Sequence, residues 1–199
     1  MTRYFLYIAL FVITLSLGQE VIITEFHYQD AGGDTGEGVE IAGQALVGSP
    51  TDLTSWSIVI YSAPATVAST TNLSGTLANG SYLWTSIVPM PDTQGSIVLW
   101  DGTNVIDSWS YGGSFTATTG VANGTTFTDV GLVDASNQSN GLSIQLTDSG
   151  WVAAVSATPG TANIGLTFAV ARLNDILGSN MYPKPVVHDN LVISSANTA

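Results

Sequence analysis

An all-β fold, arranged as an antiparallel sandwich, is what this sequence predicts, and three observations carry the prediction. Stretches rich in Val, Ile, Thr, Trp and Tyr recur about every ten to fifteen residues, separated by Gly, Asn, Asp, Ser and Pro. Within these stretches apolar and polar side chains alternate with the period of a strand that has two unlike faces. The pair Asp101-Gly102 then joins two such stretches and supplies the positive φ that a tight hairpin turn requires.

The elements follow in order. Val21–Tyr28 alternates, with Ile22, Thr24, Phe26 and Tyr28 on one side and Val21, Ile23, Glu25 and His27 on the other. A short strand, Val39–Ala42, carries Glu40 between apolar neighbours. In Leu53–Ser62, Trp56, Ile58 and Ile60 share one face, and Val59 and Tyr61 the other. Ser81–Val88, Ser96–Asp101 and Val105–Tyr111 continue the series, and Trp100 and Trp109 flank a hairpin across which they are expected to pair. Ser114–Asp134 is threonine-rich and poorly periodic, which predicts a long connection with short strands. Leu142–Thr147 is a strand, and Trp151–Val155 another strand or a closing extension. The expected core comprises Ile22 or Ile23, Phe26, Ile41, Trp56, Ile58, Leu99, Ile106 and Leu146.

Charge excludes whole classes of function. Arg3, Arg172 and Lys184 are the only basic residues other than two histidines, so residues 19–165 hold no Lys or Arg but thirteen of the fifteen carboxylates. A nucleic-acid binder neutralises phosphates with cations, and adsorption to anionic lipid needs them too. Direct contact with either is not expected of this region. There is no Cys, so disulfides and thiol chemistry are absent. Only His27 and His188 are available as imidazole bases, and Gly-x-Ser-x-Gly does not occur. The expectation is a protein that is not an enzyme.

The acidic, glycine-rich loop Gln29–Gly38 (QDAGGDTGEG) is the best candidate for a ligand site. Calcium takes six to eight oxygens from carboxylates, carbonyls and water. Asp30, Asp34 and Glu37 lie close together among four glycines, and Glu40 joins them if it faces the loop, as does Glu25 if its strand pairs alongside. The spacing is not that of an EF-hand. A solvated turn shaped by Asp and Gly is the simpler account of the same residues. The matches to the glycosylation pattern at Asn72, Asn79, Asn123 and Asn137 mark exposed loops.

The ends of the chain differ from its middle. Met1–Gly18 has one cation, Arg3, an apolar run from Tyr4 to Leu17, and small residues at Ser16 and Gly18, as a cleaved signal peptide does. An uncleaved anchor is the alternative, but the run falls short of the roughly 20 residues a spanning helix needs. No membrane association is expected after cleavage. Residues 166–179 read as a linker. In Asn180–Ser195, Pro183 and Pro185 set an extended entry to the apolar Leu191–Ile193.

Three features together, the opening block Val21–Gly43, Leu53 with Trp56, and the run SIVLWDGTNVIDSWSY (Ser96–Tyr111), resemble the lamin tail domain family in its bacterial secreted branch. Ser114–Gly120 and Thr158–Asn163 (TPGTAN) are similar to phrases found there. The resemblance covers about residues 21–165, within a domain read as 19–165, and implies an immunoglobulin-like sandwich, displayed at a cell surface or secreted, acting as an interaction or adhesion module. Calcium-dependent binding of a protein or glycan ligand, or an accessory role beside a secreted nuclease or phosphatase, are the alternatives it leaves open. Residues 180–199 resemble the start of a C-terminal sorting domain read by type IX secretion machinery, on Tyr182, Pro183, Pro185, Leu191, Ile193 and Ser194. Lys184 stands where asparagine is usual in that pattern.

Overall fold

The structure, a computed structural model, describes residues 21–29, 35–43, 50–133 and 141–167. The segments read above as signal peptide and sorting segment lie outside these residues, as do Asp30 and Asp34. Eleven strands are described: β1 (Val21–His27), β2 (Gly38–Gly43), β3 (Thr51–Asp52), β4 (Ser57–Ser62), β5 (Thr66–Asn72), β6 (Thr76–Leu77), β7 (Tyr82–Ser86), β8 (Gly95–Trp100), β9 (Val105–Tyr111), β10 (Leu142–Thr147) and β11 (Gly150–Ser156). They form a five-stranded sheet ordered β11-β10-β1-β2-β7, a four-stranded sheet ordered β5-β4-β8-β9, and the small pair β3-β6. All strand pairings are antiparallel.

The expected sandwich is present. The inner faces meet through Ile23, Phe26 and Ile41 of one sheet and Ile58, Ile60, Ile97 and Leu99 of the other. An aromatic group closes one flank: Tyr28 stacks on Tyr111 at 3.9 Å, and Trp151 meets Phe26 edge-on at 5.4 Å. Trp109 packs against Trp151 at 5.5 Å rather than against Trp100, because the β8–β9 register puts Trp109 opposite Ile97 and Trp100 opposite Val105. The hairpin itself forms as expected, with Gly102 at φ 98° and the Thr103 and Asn104 amides donating to Asp101 Oδ1.

The opening strand departs from simple alternation. A bulge between Ile23 and Glu25 adds a residue, so Val21 and Ile23 before it share the core face with Phe26 and Tyr28 after it. Ile22, Glu25 and His27 are thereby left on the outer face. A bulge leaves main-chain groups without ladder partners, and here Asp107 of β9 accepts the Ile23 N–H at 2.9 Å, joining the two sheets. Burial pushes the Asp107 carboxyl above its ordinary range, against the lowering effect of the Ile23 and Ser108 amides and Trp109.

Three further expectations are corrected. Ile106 is exposed, because it is the unpaired residue at a register shift between β8 and the edge strand β9, and Leu146 is only partly buried. The strand expected over Leu53–Ser62 starts at Ser57, since Leu53–Trp56 is a turn closed by the Trp56 N–H on the Leu53 carbonyl. β5 was not anticipated: TVASTTN lacks an apolar period because it is an edge strand with most residues exposed. Trp56, Ile58 and Ile60 do face the core, with Val59 and Tyr61 on the other side.

That other side is covered as well. Within residues 114–133 the connection folds back so that Phe115, Ala117, Ala122 and Phe127 lie on Val59, Tyr61 and Val98. The Tyr61 hydroxyl donates to the Thr119 carbonyl and accepts the Ala122 N–H at 3.0 Å. Gly120, at φ 69°, sits where a Cβ would come within 2.6 Å of both the Tyr61 hydroxyl and a Val67 methyl, so only glycine lets the connection pass.

Candidate functional site

The outer face of the five-stranded sheet carries the unusual chemistry. Register places Gln145 of β10, Glu25 of β1, Glu40 of β2 and Trp84 of β7 in one row across four neighbouring strands. Directly opposed like charges destabilise a sheet, and burying a carboxylate is costly unless it is hydrogen-bonded. Yet Glu25 and Glu40 are both fully buried, and every Lys and Arg of the chain lies outside the described residues.

What covers and satisfies the pair is the phrase Thr158-Pro159-Gly160-Thr161-Ala162-Asn163. The Thr158 N–H donates to Glu25 Oε1 at 2.9 Å and its hydroxyl to Oε2 at 2.7 Å. The Gly160 N–H donates to Glu40 Oε2 at 2.7 Å, while the Thr24 hydroxyl donates to Oε1 at 2.8 Å. Asn163, 2 % exposed, anchors the segment by donating its amide to the Thr24 and Leu146 carbonyls. All four carboxylate oxygens thus have a donor, and the segment is a latch laid over the sheet. Desolvation dominates nonetheless: it pushes the Glu40 carboxyl up to about 7, with Glu25's charge adding to the rise, although the Thr24 and Gly160 donors oppose it. Tyr82, diagonal to Glu40 across β7, is raised by burial and then by the Glu40 charge.

Beside the latch lies a cavity of about 330 Å³ lined by His27, Thr35, Trp84, Leu142, Ala157 and Pro159. Gly38 shapes it. A Cβ there would stand 2.7 and 2.8 Å from two atoms of the Trp84 ring, so the indole lies against the bare backbone of β2. Thr35 belongs to the acidic loop, so the predicted ligand loop borders this cavity.

Of the proposed ion ligands, Asp30 and Asp34 lie outside the described residues, and only Glu37 and Glu40 can be placed. Glu37, just ahead of β2, and Glu40 within it are three positions apart and turn to opposite sides: Glu37 turns inward, where the Met90 N–H donates to its Oε2 at 2.7 Å, and Glu40 turns outward to the latch. Glu25 stands opposite Glu40 as the pairing condition required, but not with Glu37. Among the described residues no group of three or more His, Asp or Glu is placed to hold a metal ion. Sequence reasoning missed the partnership of Trp84 with Glu40, and the work of Thr158 and Asn163. A signal existed for the second, since TPGTAN concentrates donors in a segment with little reason to be strand.

Comparison of the chain with protein-family models, with curated proteins and with solved structures yields no match.

Proposed function

We propose that this protein is a non-catalytic interaction module of the lamin tail type, exported through its N-terminal segment and displayed at the cell surface or released with the help of its C-terminal one. The observation that supports it is how the buried acids are spent. Glu25, Glu37, Glu40 and Asp107 each accept a main-chain N–H from a distant part of the chain. They tie loops and sheets together instead of converging on a cavity as an acid–base pair would. Among the described residues, the cavity beside the latch has one titratable wall residue, His27. A sandwich that carries a preformed pocket is a binding scaffold.

The test measures turnover and location together. Purified protein is expected to hydrolyse none of a panel of phosphodiester, phosphomonoester, glycoside and ester substrates, and cells are expected to carry it on the outside only while residues 1–18 are present. Turnover abolished by His27→Ala would overturn the non-catalytic reading, and surface display without residues 1–18 would overturn the export reading.

A further inference from the structure

The cavity beside the latch has a chemical preference. Its Trp84 wall lies against the bare backbone of Gly38 on β2 and lines the cavity with its indole. The next member of the transverse row is Glu40, and beyond it Glu25, two buried carboxylates with no Lys or Arg among the described residues to balance them. An indole face attracts a cation within about 6 Å of its centre, and more strongly where water is excluded. Uncompensated charge buried behind a low-dielectric wall extends its field into the adjoining cleft. A neutral sugar ring would use the indole but draw nothing from the carboxylates.

We propose that this pocket receives a cationic side chain, lysine or arginine, presented by a partner protein and seated against the Trp84 indole, near the Glu25–Glu40 pair. The inference rests on the reading of the protein as an interaction module and names the chemistry of its partner. It also makes binding proton-linked. A cation in the pocket favours the ionised form of Glu40, so seating it releases a proton that the free protein holds near neutrality. Among the described residues, the titratable groups facing Glu40 are Glu25 on β1 and Tyr82 on β7, with His27 on the pocket wall. Residues 157–163 of the latch carry none.

The experiment titrates the intact protein with acetyl-Gly-Arg-Gly-amide and with its Gln counterpart, reading the Trp84 indole and His27 ring signals by NMR at pH 6 and pH 8. Saturable shifts at those two rings are expected from the Arg peptide alone, with affinity at least about threefold higher at pH 8. Trp84→Ala is expected to weaken binding at least about tenfold, and Trp84→Phe, which keeps an aromatic face, to retain most of it. Glu40→Gln is expected to remove the pH dependence. An equal response to the Gln peptide or to methyl glucoside overturns the cation preference. Binding that survives Trp84→Ala and disappears with salt means adsorption to the acidic surface, and overturns the site. These outcomes are separable from failure of the module reading, which the turnover measurement decides independently.

Discussion

On the outside of the four-stranded sheet, Phe115, Ala117 and Phe127 lie on Val59, Tyr61 and Val98; on the outside of the five-stranded sheet, Thr158, Gly160 and Asn163 reach down to Glu25, Glu40 and Thr24. Both are covers made by a returning segment of chain, and they hold by different physics. The first is apolar contact, non-directional and roughly proportional to area. The second is a set of directional hydrogen bonds, each with a modest net contribution because water competes for the same groups, though a lost partner leaves a buried group costly. The apolar cover has no carboxylate or imidazole in its contact and no reason to respond to a change in mildly acidic or neutral pH. The polar cover encloses two carboxylates and borders a cavity, so it is the side on which binding and response are to be sought.

The comparison predicts an order of damage. Phe127→Ala removes a fully buried ring from the apolar cover and is expected to cost about 3–5 kcal/mol. Denaturant titration checks this, with the midpoint falling and the slope unchanged. Asn163→Ala strips the Thr24 and Leu146 carbonyls of their shared donor and is expected to cost about 1–3 kcal/mol. Here hydrogen exchange gives the sharper reading: the Thr158 and Gly160 amides should exchange faster while β4 and β8 keep their protection. If Asn163→Ala proves the more damaging of the two, the polar latch rather than the apolar cover is the main support, and the comparison inverts.

The strands themselves were legible because their side chains meet water on one face and the core on the other. Trp56, Ile58 and Ile60 against Val59 and Tyr61 is a pattern that burial enforces. What escaped notice followed from single-residue events. The Thr24 bulge reverses the facing of half of β1 without changing its composition, so a period-two reading of Val21–Tyr28 assigned the wrong partners to Phe26. β5 is an exposed edge, and nothing forces an apolar period onto such a strand. Of the candidate site, the sequence displayed the acids but not their register. Placing Glu25, Glu40 and Trp84 in one row depends on β1–β2 and β2–β7 pairings that no local pattern specifies.

The finest test of the contrast is the pH dependence of stability. Glu40 is raised from 4.5 to about 7 in the folded protein, chiefly by desolvation. Between those values the native state holds a proton that the unfolded chain has released. Its contribution is therefore fully present below about 4.5 and lost as pH rises through 7. Asp107, raised by burial, acts in the same direction. Asp52, Asp101 and Asp148 act in the opposite one. Hydrogen bonds from Thr54, Asn104 and Thr167 hold them below 3.8, so their contribution is present above that value and lost as pH falls further. Melting temperature is thus expected to peak in mildly acidic solution and to decline toward pH 8. Glu40→Gln keeps a side-chain oxygen for the latch but cannot ionise. Across pH 5–8 it is expected to flatten the decline by on the order of 1 kcal/mol, after allowance for solvent screening. Phe127→Ala, by contrast, should lower the whole curve without changing its slope. Parallel wild-type and Glu40→Gln curves over that range would mean that Glu40 is already ionised in mild acid and fully stabilised by its donors. The polar cover would then be as indifferent to pH as the apolar one.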